Sequence, residues 1–140
     1  MSVATIVSGD WESLKEAASP IRRIVFIEEQ RVPQAEEWDG RDDESLHFLA
    51  TLAGTPVGTA RLLPDGHIGR VAVLASTRGT GVGYQLMKAA IQAAKTAGHT
   101  RVALSAQLHA LAFYERLGFV AHGDVFMDAG IPHRAMMLTL

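Results

Sequence analysis

The stretch Ile68-Gly69-Arg70-Val71-Ala72-Val73-Leu74, followed by Ala75-Ser76-Thr77 and then by Arg78-Gly79-Thr80-Gly81-Val82-Gly83, decides how this chain is read. An apolar strand-like run ends in a glycine-rich turn. Beyond Arg78 the period becomes helical, with Val82, Leu86, Ala89, Ala90, Ala93 and Ala97 on one expected face and Gly98 placed to end it. Strand, glycine turn and helix N-terminus together make an anion site. Glycines permit positive φ and close backbone approach, and the orphan N–H groups of the first turn point outward with the positive dipole end behind them. A pyrophosphate suits such a site. Two better-known phosphate loops do not fit: a Walker loop needs Lys-Ser/Thr after its last glycine, where Tyr84-Gln85 stands. A dinucleotide fingerprint needs glycine or alanine at Tyr84 and an acidic residue where Leu104-Ser105 stands. A tight turn without ligand is the other reading these letters allow.

Working outward, Val3 to Val7 reads as a first strand with Asp10 as helix cap, and a helix follows over Trp11 to Ala18. Ser19-Pro20 is expected to restart a second helix through Ile21, Ile24, Val25 and Glu28. Arg31 to Glu44 has no period and reads as an acidic loop around Trp38-Asp39-Gly40 and Asp42-Asp43. Strands over Leu46 to Ala53, Val57 to Leu63 and His67 to Leu74, separated by Gly54-Thr55-Pro56 and Pro64-Asp65-Gly66, suit an antiparallel meander. After the long helix come a strand at Arg101 to Leu104, a helix at His109 to Leu117, and strands over Phe119 to Met127 and Arg134 to Leu140, with a hairpin at Gly130-Ile131-Pro132. This order predicts a mixed, mainly antiparallel α+β sheet of about seven strands with about four helices, as one domain over residues 1–140.

A net charge of −2 argues against a duplex or an acidic membrane surface as main partner. With no cysteine, neither a disulfide, a thiolate metal site nor a cysteine nucleophile is available. His67, His99, His109 and His122 lack ligand spacing, so no metal is expected. Met1 to Val7 lacks the basic start and apolar stretch of a signal peptide, no apolar run reaches membrane-spanning length, and a cytoplasmic location is the expectation.

Arg78-x-x-Gly81-x-Gly83 after a Val-x-Val strand resembles the acetyl-coenzyme A signature of the GNAT superfamily of N-acetyltransferases. Ala112-Phe113-Tyr114-Glu115-Arg116-Leu117-Gly118-Phe119 resembles the family's second segment. Val25-Phe26, Glu29-Gln30, Trp38-Asp39-Gly40, His47, Ser105-Ala106-Gln107 and Gly130-Ile131-Pro132-His133 are similar to the small bacterial ElaA-like and YjcF-like members. The similarity spans nearly the whole chain. Ala75 departs from it, standing where many members have proline.

The resemblance implies splayed fourth and fifth strands with the pantetheine arm between them, against the backbone of Val71, Ala72 and Val73. One amide there would face the thioester oxygen, on which negative charge develops. By the same resemblance Arg78, Gly79, Thr80, Gly81, Val82 and Gly83 hold the phosphates, and Gln107 and Phe113 also contact the coenzyme. The valines serve core packing equally well. Tyr114 matches the general acid for the departing thiolate. A phenol near pKa 10 protonating a thiolate near 8.5 is uphill by roughly 2 kcal/mol, so donation of a hydrogen bond to sulfur is the milder role.

An acceptor amine of pKa about 10.4 needs about 4 to 5 kcal/mol to stand neutral at pH 7, so a base is expected. Glu28, Glu29, Asp39, Asp42 and His47 are candidates, and Glu29 and His47 lead because they match the subgroup. Gln107 and His133 match too, yet each fits a purely local role. The implied reaction moves an acetyl group from acetyl-coenzyme A directly to a primary amine of a small molecule or peptide, a cationic one if the acidic loop flanks the cleft. A homodimer is a further expectation. The alternative is a non-catalytic module that binds the coenzyme.

Overall fold

A computed structural model describes residues 3–140; Met1 and Ser2, where the search for a targeting signal began, lie outside the described residues. Strand β1 (Thr5–Gly9) ends at Asp10, whose Oδ1 accepts the Ser13 amide at 2.8 Å and caps helix α1 (Trp11–Arg22). The break expected at Ser19-Pro20 does not occur. Pro20 sits inside α1, and the Arg23 amide is shared between the Ser19 and Pro20 carbonyls. The helix then widens into a π-helical stretch, Arg23–Glu29, which closes with the Gln30 amide on the Val25 carbonyl at 3.1 Å. Burial explains why the helix survives its proline: Ala18, Ile21 and Val25 are fully buried, and the last two pack on Leu49 and Ala72 of the sheet.

The stretch read as a featureless acidic loop holds a short helix, α2 (Gln34–Glu37), and a 3₁₀ turn at Asp42–Glu44. Strands β2 (Leu46–Leu52), β3 (Thr55–Leu62) and β4 (Ile68–Val73) follow and form an antiparallel sheet in the order β1-β2-β3-β4. Phe48 and Ala50 belong to the main core with helix α3 (Val82–Thr96), whereas Leu49 between them packs with α1. A helix on each face is why β2 reads as a continuous apolar run instead of an alternating one. At Gly58 a Cβ would lie 3.0 Å from Leu86 Cδ1 and 3.2 Å from the Ala72 carbonyl, so α3 can approach β3 this closely only over a glycine.

The buried face of α3 is Val82, Leu86, Met87, Ala90, Ile91 and Ala94, rotated from the expected stripe; Ala97 is exposed. Alanines on several sides blurred the pattern, and the larger Met87 and Ile91 set the face. Strand β5 (Arg101–Gln107) runs three residues beyond the expected end, because it pairs with β7 (Ile131–Thr139) as far as Gln107 opposite His133. Between them lie a 3₁₀ turn at Leu108–Ala110, helix α4 (Leu111–Arg116) and β6 (Val120–Asp128). The β6–β7 turn is Ala129-Gly130, both at positive φ (52° and 75°), so Ile131 and Pro132 belong to β7 and not to the hairpin loop. The second sheet has the order β5-β7-β6.

Among the described residues the two sheets are hydrogen-bonded to each other at the start of β4 and β5. There His67 bridges Ala103 in parallel fashion, and the Ala103 amide donates to the Gly66 carbonyl at 3.1 Å. Arg70 has φ +50°, and β4 bulges there: Arg61 pairs with Gly69 and Thr59 with Ala72, leaving Arg70 and Val71 opposite Ala60. Beyond the bulge β4 and β5 diverge, as the family resemblance implies, and a cleft opens between their C-terminal ends.

Candidate active site

The cleft begins at the glycine loop. Gly79 and Gly81 have φ of +80° and +89°, which side-chain-bearing residues adopt at a cost. The first main-chain bond of α3 runs from the Gln85 amide to the Gly81 carbonyl at 3.0 Å, and among the described residues the amides from Gly79 to Tyr84 have no backbone acceptor. They are the orphan donors of a fifteen-residue helix. A groove of about 500 Å³ lies over them, lined by Val71, Val73, Arg78, Tyr84, Phe113 and Arg116, with Phe113 closing on Gly83 at 3.5 Å from its Cβ position. Val71 and Val73 are half-buried and line the groove. Ala72 points its side chain to the opposite face, into the Ile21–Val25–Leu49 cluster, so only its backbone is available to the cleft. Val82 is buried in the core, and Thr80 hydrogen-bonds the Thr77 carbonyl.

Arg78 anchors itself through Nε on the Val73 carbonyl at 2.9 Å and clasps Glu29 with both terminal nitrogens, at 2.7 and 2.8 Å. These hydrogen bonds hold the Glu29 carboxyl below its ordinary range and raise Arg78. Both carboxylate oxygens of Glu29 are therefore engaged and its basicity is lowered, the opposite of what a base requires.

His47, the other expected base, is 1% exposed on β2 and lines none of the cleft. Its Nε2 donates to the Asp42 carbonyl at 2.9 Å and its ring packs on Trp11 at 4.7 Å. Burial lowers its pKa, only partly offset by the Asp42 carbonyl and carboxylate. It belongs to a buried ion cluster. Arg22, 1% exposed, binds both oxygens of Glu37 at 3.0 Å and Asp42 Oδ1 at 2.7 Å, and stacks between Trp11 and Trp38 at 5.2 and 4.9 Å. Arg61 bridges Asp42 at 3.0 Å and Asp39 at 3.0 Å. Arg70 reaches Asp39 and the Glu36 and Glu37 carbonyls, each at 3.2 Å, while its Nε lies 3.3 Å from Glu37 Oε1 out of hydrogen-bonding alignment. Burial would raise the Asp39 and Asp42 carboxyls, but hydrogen bonds and charge from the arginines outweigh it and both fall. Asp39 and Asp42 are thus locked anions, not cleft bases. Glu28 stands exposed on the helix.

Further along, the space between β4 and β5 holds about 320 Å³, lined among others by Val71, Gln107, His109, Tyr114, Asp128 and His133. Tyr114 packs edge-on against Phe113 and Phe119 at 5.0 and 6.0 Å, and burial pushes its hydroxyl up to about 12. That hydroxyl has no protein partner among the described residues, so it keeps a proton to donate into the cleft. Gln107 donates to Gln30 Oε1 at 2.9 Å, tying the end of β5 to the end of the π-helical stretch. The structure thus brings Val71, Val73, Arg78, Gly79 to Gly83, Gln107, Phe113 and Tyr114 along one trough, and leaves His47 outside it. Arg70, Arg116, Gln30 and Asp128 also line the trough, none of them given a role from the sequence. An arginine inside an apolar strand, at Arg70 and Arg61, was the available signal. No group of metal-ligating side chains occurs among the described residues.

Residues 16–140 match the acetyltransferase (GNAT) domain family. The uncharacterized N-acetyltransferase YjcF of Bacillus subtilis is 40% identical over 136 residues, covering 94% of this chain and 96% of its own. Among solved structures, an acyl-CoA N-acyltransferase from Pseudomonas aeruginosa superposes with TM-score 0.83 at 37% identity, covering 96% of this chain and 99% of that one. Escherichia coli ElaA does so with TM-score 0.84 at 30% identity and the same coverage.

Proposed function

Because the chain belongs to the GNAT acetyltransferase family and is an acyl-CoA-dependent transferase, we propose that its 140 residues act as one domain that moves an acetyl group from acetyl-coenzyme A directly to a primary amine. The observation that carries this is the continuity of the trough, from the unbonded amides at Gly79 to Tyr84, past the diverging edge of β4, to the Tyr114 hydroxyl. The free amides, Arg78 and Arg116 fit a pyrophosphate, and Val71, Val73 and Phe113 fit an aliphatic arm. Acetyl-coenzyme A would supply the activated acyl group as cosubstrate.

The residues then divide the work. Arg78 and the amides of Gly79, Thr80, Gly81, Val82 and Gly83 take the phosphates. The β4 backbone at Val71, Ala72 and Val73 pairs with the pantetheine amides, and a β4 amide left free by the divergence of β5 faces the oxygen where charge develops. Gln107 borders the thioester end. Tyr114 donates its hydroxyl hydrogen to the departing sulfur. With the phenol raised to about 12, full transfer to a thiol of ordinary pKa is uphill by roughly 5 kcal/mol, so the hydrogen-bond donor role is the one the site favours. Among the described residues no helix is long and apolar enough to cross a membrane. The acceptor is a small-molecule or peptide amine, and the setting is the cytoplasm.

Calorimetric titration with acetyl-coenzyme A tests this reading. One-site micromolar binding, lost in G81V because valine resists a φ of +89°, is the expected result. Well-folded protein that takes up no heat with acetyl-coenzyme A or coenzyme A overturns it.

A further inference from the structure

His133 sits on β7 opposite Gln107, is 8% exposed, and stacks on Phe126 at 5.9 Å between centroids. Its Nδ1 lies 2.6 Å from the Ile131 carbonyl. A carbonyl only accepts, so the proton is on Nδ1, and in the neutral ring Nε2 carries a free lone pair. Among the described residues Nε2 has no protein partner, yet it is not sealed away. Its ring lines both the cleft that contains Tyr114 and an outer cavity of about 330 Å³ formed by Phe26, Val32, Glu36, Asp39, Arg70 and the β6–β7 turn.

Six residues belong to both spaces: Phe26, Gln30, Arg70, Gln107, Asp128 and His133. They mark the junction through which an amine entering from the outer cavity reaches the thioester end of the cleft. Of these, Gln30 and Gln107 bind each other, Phe26 has no proton chemistry, and Arg70 is a cation already committed to Asp39 and two carbonyls. Asp128 is an exposed carboxylate at the end of β6. Only His133 combines a ring orientation fixed on one side with an unshared nitrogen lone pair on the other. This is the arrangement that makes an imidazole a base.

We infer that His133 Nε2 is the proton acceptor for the incoming amine, and that the outer cavity bordered by Glu36, Asp39 and Asp128 admits that amine as its ammonium ion. The inference rests on the acetyltransferase reading. The ammonium gives one proton to Nε2. The freed nitrogen lone pair forms the C–N bond to the acyl carbon, and the C–S bond breaks with its electron pair on sulfur. Of the two protons the nitrogen loses in all, one ends on the sulfur, whose charge the Tyr114 hydrogen bond holds meanwhile, and the other leaves to solvent from His133. The charged and titratable groups that line these two spaces with His133 are Arg61 from β3, Arg70 from β4, Glu36, Glu37 and Asp39 from the α2 segment, Asp128 from β6, Tyr114 from α4, and His67 and His109 at the cleft edge.

H133N tests the inference, because an asparagine amide can replace the Nδ1 donor to Ile131 but supplies no acceptor at Nε2. With an amine found by screening the wild type, kcat is expected to fall about a hundredfold or more. Acetyl-coenzyme A affinity by calorimetry should stay within about twofold. Independently of turnover, ¹⁵N NMR of the resting protein should show His133 as the Nδ1–H tautomer, with the Nε2 signal moving when the amine is added. H133N that retains kcat within threefold, or a D128N variant that loses kcat while H133N does not, overturns the assignment and leaves the acetyltransferase reading intact. Wild-type protein that binds no acetyl-coenzyme A overturns both. Should H133N not fold, H133Q and the tautomer measurement decide it: an Nε2–H tautomer is sufficient to reject the role.

Discussion

Replacing Glu29 by glutamine should tighten coenzyme binding. Arg78 is the cation of the proposed phosphate loop, yet it is already clasped by Glu29 at 2.7 and 2.8 Å, with side chains 43% and 39% exposed. A pyrophosphate that recruits Arg78 must displace or share this carboxylate. Exposed ion pairs are worth about 0.2 to 1 kcal/mol, and bidentate geometry places this one toward the upper end. Removing the competing charge while keeping a side chain of equal size should therefore return up to about 1 kcal/mol to the complex, a two- to fivefold lower Kd. The assay is calorimetry with coenzyme A at two salt concentrations, with acetyl-pantetheine as a control that lacks the nucleotide phosphates. The gain should shrink at high salt and vanish for acetyl-pantetheine. Weaker or unchanged coenzyme A binding in E29Q would refute the competition. A drop in kcat of a hundredfold or more would instead restore Glu29 as the base.

Y114F should lower kcat by about a hundredfold while leaving coenzyme affinity nearly unchanged, measured by steady-state kinetics beside calorimetry; unaltered turnover removes Tyr114 from the reaction. R22M should destabilise the fold by about 3 to 5 kcal/mol in urea titrations, because it takes the cation from between Trp11 and Trp38, leaves buried Glu37 without its hydrogen-bonded partner and leaves Asp42 to Arg61 alone; a loss below about 1 kcal/mol would show that the cluster is weakly coupled. Acid should destabilise the protein through Asp39 and Asp42. Their folded pKa values are depressed, so their contribution is fully present above the ordinary carboxylate range near 3.9 and is lost as pH falls toward the folded values. Melting temperature is thus expected to hold from neutrality to about pH 5 and then decline. A D42N variant, already weaker at neutrality, should show a shallower decline.

The parts of the fold that were legible in the sequence are those fixed by local rules. The period change at Arg78, the Asp10 cap and the glycine loop all depend on neighbours within a few residues, and the structure has each in place. The helix break at Ser19-Pro20 failed because a proline costs one main-chain donor, whereas Ala18, Ile21 and Val25 gain a buried face by continuing. The ion cluster was illegible for a different reason. Arg22 finds Glu37 and Asp42 at separations of 15 and 20 residues, and Arg61 finds Asp39 at 22, so no spacing announces them. Counted by composition, the same carboxylates looked like a solvated loop. His47 matched the subgroup pattern, and only the fold shows that its ring is buried on β2 beneath this cluster, away from the cleft.

That cluster bears on the site through a single element. The helix that begins at Trp11 carries Arg22 into the buried charges, then Val25 into the core, Phe26 and Gln30 to the junction of the two cavities, and Glu29 to Arg78. Between Arg22 and Gln30 the helix is wound in the π form. One extra residue per turn there shifts the face presented by everything that follows relative to what precedes it. An ordinary α-helical continuation would turn Phe26, Glu29 and Gln30 away from the contacts they now make while Arg22 stayed in the cluster. The π stretch therefore reconciles two demands on one helix: to anchor in a buried ion network at one end, and to wall the junction of the two cavities and restrain Arg78 of the glycine loop at the other.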